Sequence, residues 1–148
     1  MTTTEVSGFP VRDVEFSVGD HTPRYWHSGR RAVTLFFNNL STLFPHGERF
    51  FIRSVAKYRK QVRDPSLLSE VKAFTSQEAI HTREHQAYND MLRAQGFDID
   101  AIEETVARLL RLPKLTGPLR NRVSLAATAA LEHWTGLLAH FVLTDSSV

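Results

Sequence analysis

From Val33 onward the apolar residues of this chain recur mostly three and four positions apart, the period of a helix and not the alternation of a strand. Leu35, Phe36, Leu40, Leu43 and Phe44 carry the pattern to Pro45, where a kink or restart is predicted because Gly47 follows closely. Pro45 suits the first turn of a restarted helix, and Phe50, Phe51, Ile52, Val55 and Tyr58 extend the pattern to about Val62. Asp64-Pro65 then opens a long helix, because Asp caps free backbone N–H groups and a proline at the first helical position loses no needed donor. That helix is predicted to run to about Ala94, with Gly96 supplying the left-handed residue that closes it. Asp100 and Glu103 have the spacing of a capping box and predict a shorter helix through Leu112, stopped by Pro113. Thr116-Gly117-Pro118 reads as a turn, and a last helix follows from Leu119 to about Leu143 before a polar tail. Residues 1–30 show only a brief alternation at Val14, Phe16 and Val18. The expected architecture is all-α: an extended N-terminal arm over 1–30 and a helical bundle over 31–148.

Composition narrows the chemistry. With 42% apolar and 23% charged residues in 148, the chain is built to fold as one ordinary globular domain. It has no cysteine, which excludes thiolate metal sites, disulfides and cysteine nucleophiles, so any metal must be held by His, Asp or Glu. No window is apolar enough to span a membrane, and the opening MTTTEVSGFPVRD has neither a basic leader nor an apolar segment, so a cytoplasmic location is expected. Arg49, Arg53, Lys57, Arg59, Lys60 and Arg63 cluster, but a net charge of +2 points to a solvated helix face and not to nucleic acid.

The long helix after Asp64 carries the informative pattern. Val71, Phe74, Glu78, His81, His85, Tyr88 and Leu92 alternate three and four apart and share one face. Apolar residues begin and end that stripe, so a carboxylate and two imidazoles stand where core residues belong, and buried groups of this kind need partners. Glu78 and His81 form Glu-x-x-His, whose spacing lets both side chains reach one ion. Glu48 lies thirty positions earlier on the preceding helix, and each of Glu48 and Glu78 sits roughly 20 Å from the intervening turn if the helices are antiparallel. Glu132 lies on a small and apolar stripe with Leu125, Thr128, Gly136, Ala139 and Leu143, so it too is expected to point inward, whereas His133 is turned one residue aside.

One Glu from each of two helices and Glu-x-x-His from two others make a carboxylate-bridged di-metal site. Glu48, Glu78, His81 and Glu132 supply that set except for a second Glu-x-x-His, expected some thirty residues after Glu132, past Val148; the chain reads as the N-terminal part of a longer one. The runs Phe44-Pro45-His46-Gly47-Glu48-Arg49-Phe50-Phe51, Gln77-Glu78-Ala79-Ile80-His81 with His85 and Tyr88-Asn89, and Ala130-Leu131-Glu132-His133 resemble the bacterial family called predicted metal-dependent hydrolases, and the chain is also similar to the wider ferritin-like superfamily. The resemblance implies a ferritin-like bundle and a metal-dependent hydrolase, in which Glu48, Glu78, His81 and Glu132 hold one or two ions that activate water, with His85 as a further ligand, an orienting group or a general base. Ligand chemistry alone favours iron or manganese over zinc, and with them a redox protein of the oxidase or oxygenase type. The spacing of His81 and His85 lacks the glutamate placement of the zinc protease motif. A third reading is a catalytically inactive helical oligomer, such as a homodimer pooling Glu48, Glu78 and His81.

Overall fold

The computed structural model describes residues 10–144, so the first nine residues of the expected arm and the tail after Thr144 lie outside it. Among the described residues four α-helices follow the arm: α1 (Arg31–Ala56), α2 (Pro65–Ala94), α3 (Asp100–Leu109) and α4 (Arg120–Thr144). Short 3-10 segments at Arg59–Gln61 and Leu112–Leu119 join α1 to α2 and α3 to α4, and no strand occurs among the described residues. Helix α1 is the hub, packing on α2, α3 and α4.

The boundaries of α2 follow from its sequence. Asp64 accepts from the N–H groups of Ser66 at 2.8 Å and Leu67 at 3.4 Å, with Pro65 at the first helical position. At the other end Gly96 takes φ 78°, while Phe97 N–H bonds the Leu92 carbonyl and Gly96 N–H bonds that of Arg93. These are the two bonds of a Schellman motif, and the accompanying contact of Phe97 with buried Leu92, Met91 and Ile99 nucleates a small core.

Three expectations are corrected: α3 ends at Leu109, short of Leu112, with Pro113 inside the 3-10 segment that follows, and two more concern α1 and the start of α3. Helix α1 runs through Pro45 without restarting, and its α-helical part stops at Ala56, short of Val62. Proline removes the donor for the carbonyl four residues back. That carbonyl, on Ser41, instead faces the side-chain amide of Asn89 on α2 at 3.5 Å, and Pro45 itself is buried. The capping box before α3 does not form either: the cap position is Ile99 and makes no side-chain bond. Asp100 and Glu103 are drawn instead to Arg93 of α2, at 2.8 and 2.6 Å, so a tertiary ion pair outcompetes the local cap.

The interior is unusually polar. Phe50, Phe51, Met91, Leu92 and Ile99 are the buried hydrophobic residues, beside buried Thr34, Asn38, Ser41, Thr42, Glu48, Ser54, Glu78, Asn89 and Thr128. Ser54 and Thr128, 2.7 Å apart, pin α1 to α4. The opposite side of α4 leaves Leu131, Trp134, Leu137 and Phe141 exposed. Residues 10–30 run as turns and extended chain along α2. There Arg12 exchanges two hydrogen bonds with Gln77, Phe16 N–H donates to Glu84 at 2.8 Å, and Arg83 reaches Asp13 and the Val14 carbonyl.

Candidate metal centre

Glu48 stands in the middle of α1 and Glu78 and His81 on successive turns of α2, and the packing of the two helices brings them together as the matched levels predict. One ligand atom from each of Glu48, Glu78 and His81 lies within 4.8 Å of the others. Three donors about 2.1 Å from one small divalent ion lie roughly 3.4 to 3.6 Å apart, so closing the trio onto an ion requires a contraction of up to about 1.4 Å.

The electrostatics of the trio suit a cation. Glu48 is 1% exposed, and neither carboxylate oxygen has a hydrogen-bond partner. The nearby Thr82 hydroxyl donates to the Glu78 carbonyl at 2.9 Å and offers Glu48 relief only by turning away from that bond. Loss of water pushes the Glu48 carboxyl up to about 8, reinforced by the charges of Glu78 and Glu132 and offset by Thr82 and Arg49. Glu78, also buried, is pushed up to about 7 by desolvation and by Glu132. Burial holds His81 below its ordinary value, so its ring is neutral at pH 7, and its Nδ1 stands 3.6 Å from Glu48 Oε1, too far for a hydrogen bond. A divalent cation satisfies two orphaned carboxylate oxygens and stabilises the ionised forms of both glutamates at once. These residues therefore fit a metal on chemistry visible in the fold.

Glu132 reaches the site from α4. It is half-buried, its carboxyl is raised by that burial, and its charge acts on both Glu48 and Glu78, but it lies outside the close trio. His133 is exposed. His81, expected in the core, has a side chain about half exposed (51%), so α2 turns that ring toward the edge of the helix pair.

His85, one turn beyond His81 with its ring centroid 6.2 Å away, also stands outside the trio and is held by a directed chain of hydrogen bonds. Arg93, always a donor, gives to Glu103 at 2.6 Å, and the Glu103 carboxylate accepts a second bond from the Asn89 amide nitrogen at 2.9 Å. This turns the Asn89 oxygen toward Ser41, whose hydroxyl donates to it at 2.9 Å. Ser41 has no second hydrogen, so at its 2.9 Å contact with His85 it must accept from Nδ1–H. The chain fixes the neutral tautomer that leaves a lone pair on Nε2. Burial, with the neighbouring His81, lowers the His85 pKa to about 4, and Phe44 stacks on its ring at 4.4 Å.

Sequence spacing pointed to Glu48, Glu78, His81, Glu132 and His85 but not to Ser41, Asn89, Glu103 or Arg93, which hold His85. A signal was present: Thr34, Asn38, Ser41, Pro45 and Glu48 are four, three, four and three apart, a buried polar stripe on α1 facing the one on α2. No curated protein and no solved structure matches the chain. A family model does, over residues 10–148, and with it two carboxylates and an imidazole converge on one point: the chain belongs to the family described as predicted metal-dependent hydrolases.

Proposed function

We propose that Glu48, Glu78 and His81 bind a divalent metal ion, with Glu132 completing the carboxylate set, and that the site hydrolyses its substrate beside His85. The observation that carries this reading is the buried Glu48 carboxylate, both of whose oxygens lack any partner. An ion held there supplies a Lewis acid and lowers the pKa of bound water toward neutrality. The protein's own part is to fix the ligands on two packed helices and to present an uncharged imidazole. With Nδ1–H tied to Ser41, His85 keeps a free lone pair on Nε2 at neutral pH, and its pKa of about 4 suits it to accept a hydrogen bond from bound water and makes it only a weak base. The α1–α4 pin at Ser54 and Thr128 holds the helix of Glu132 against that of Glu48 without using a carboxylate oxygen.

Two carboxylates and one imidazole also suit iron or manganese better than zinc, which supports a redox reading of the same ligands. A Glu on α1, Glu-x-x-His on α2 and a Glu on α4 are three of the four contributions to a ferritin-like di-metal bundle. A second copy of the chain, supplying its own Glu78 and His81, would provide the fourth. Metal per chain and assembly mass, read together by native mass spectrometry, test that arrangement: a metal-free monomer contradicts it.

For the hydrolytic reading, the test is turnover of a panel of activated carboxylic esters, phosphate esters and peptides after treatment with chelator and resupply of manganese, iron or zinc. Activity that chelation removes, metal restores and Glu48→Gln abolishes supports the proposal. Metal binding with no hydrolysis in any class, accompanied by consumption of dioxygen or peroxide, replaces it with the redox reading.

A further inference from the structure

Beside the trio lies a cavity of about 650 Å3, walled by the arm on one side and by α1 and α2 on the other. Its size is that of sites for small organic ligands. Phe16, Val18, Trp26, Phe37, Leu40 and Phe44 form most of its wall, and His81 and His85 stand in that wall as well. Resting on the hydrolytic reading above, we infer that this cavity receives the apolar chain of an acyl substrate, with the bond to be broken lying at the His81 end.

Most polar side chains around the cavity, Ser17 and the imidazoles apart, are engaged within the protein. Glu84 accepts from Phe16 N–H and from Arg83, each at 2.8 Å. The Tyr88 hydroxyl donates to Asn38 at 2.6 Å, Ser41 is committed to Asn89 and His85, and Thr22 accepts from Gly19 N–H. A polar ligand would therefore lose water without gaining partners, whereas alkyl or aryl surface gains by leaving water. The imidazoles are the exceptions: His85 keeps a free lone pair on Nε2, and His81 is half exposed and belongs to both the cavity wall and the metal trio. An occupant is thus apolar over most of its length and reactive at one end. The arm closes the outer wall because its backbone is tied to Gln77 and Glu84, which places Phe16 and Val18 over α2.

The test has two arms, one independent of metal. In a Trp134→Phe background Trp26 is the remaining tryptophan, and its fluorescence reports the cavity directly. Butanol, hexanol and octanol are titrated into metal-free protein. Affinity is expected to tighten about fourfold for each added methylene. Leu40→Asp, or Val18→Asp on the arm should Leu40→Asp lose its helical circular dichroism, is expected to abolish this trend. In the second arm, p-nitrophenyl esters from acetate to octanoate are offered to the metal-loaded protein, and kcat/KM is expected to rise with chain length by a similar factor. No dependence of alkanol affinity on chain length overturns the cavity assignment, whether or not esters are cleaved. Chain-length-dependent alkanol binding with no cleavage of any ester keeps the cavity as an apolar site and removes the hydrolytic reading from which the substrate class was drawn.

Discussion

Replacing Glu48 by Gln should make the metal-free protein more stable. The glutamine keeps the shape of the protonated acid, while the wild-type carboxyl is 1% exposed and unpartnered and is pushed from 4.5 up to about 8 by its burial. A shift of that size disfavours the ionised form by about 5 kcal/mol. Below pH 4.5 the folded and unfolded states both carry the proton and nothing is lost. As pH rises from there, the unfolded chain ionises while the folded one holds its proton to about 8, so the folded state binds more protons and stability falls across that window. Relative to Glu48→Gln, wild-type protein should then be less stable by about 1 kcal/mol at pH 5 and about 4 kcal/mol at pH 8. Guanidinium unfolding in the presence of chelator, followed by circular dichroism at both pH values, measures the difference. A variant no more stable than wild type at pH 8, or a gain independent of pH, refutes the argument that Glu48 is buried without compensation. With metal present the order should reverse, because the ion stabilises only the protein that keeps its ligand.

Metal affinity should itself rise with pH between about 6 and 8, because Glu48 and Glu78, pushed up to about 8 and about 7, must lose protons to bind. Calorimetric titration in buffers of different ionisation enthalpy should show proton release, and binding without it contradicts the assignment. In nitrogen-15 NMR of the metal-free protein His85 should be the neutral Nδ1–H tautomer, and Ser41→Ala should mix the tautomers while costing about 1 to 3 kcal/mol for the buried amide left unpaired. An Nε2–H ring in wild-type protein would break the hydrogen-bond chain from Arg93. Thr128→Val removes the buried partner of Ser54 and should cost about 1 to 2 kcal/mol in thermal or denaturant unfolding, with weakened metal binding as α4 loosens. Unchanged values for both show that the pin does not hold Glu132 in place.

Much of the helical layout was legible because each signal was local: Asp64-Pro65 and Gly96 bound α2 through bonds within one turn, and period alone located α1 and α4. The failures are those where a distant residue decides. Pro45 breaks nothing because Asn89, forty-four positions on, faces the carbonyl it frees, and Asp100 abandons its cap for Arg93. The level of Glu48 against Glu78 could be counted from the hairpin, since helical rise is fixed. The half-exposure of His81, the outlying positions of Glu132 and His85, and the Ser41–Asn89–Glu103 chain depend on how helices rotate and cross, which spacing along one helix does not encode.

The most direct test of the account is elemental analysis by inductively coupled plasma mass spectrometry of protein purified without chelator, beside a Glu78→Ala, His81→Ala double variant whose fold is verified by circular dichroism. The account predicts near-stoichiometric divalent metal, with iron or manganese favoured by the ligand set, and its loss in the variant. Wild-type protein that carries no metal and takes none up on addition, or a folded double variant that keeps it, contradicts the claim that Glu48, Glu78 and His81 form a metal site.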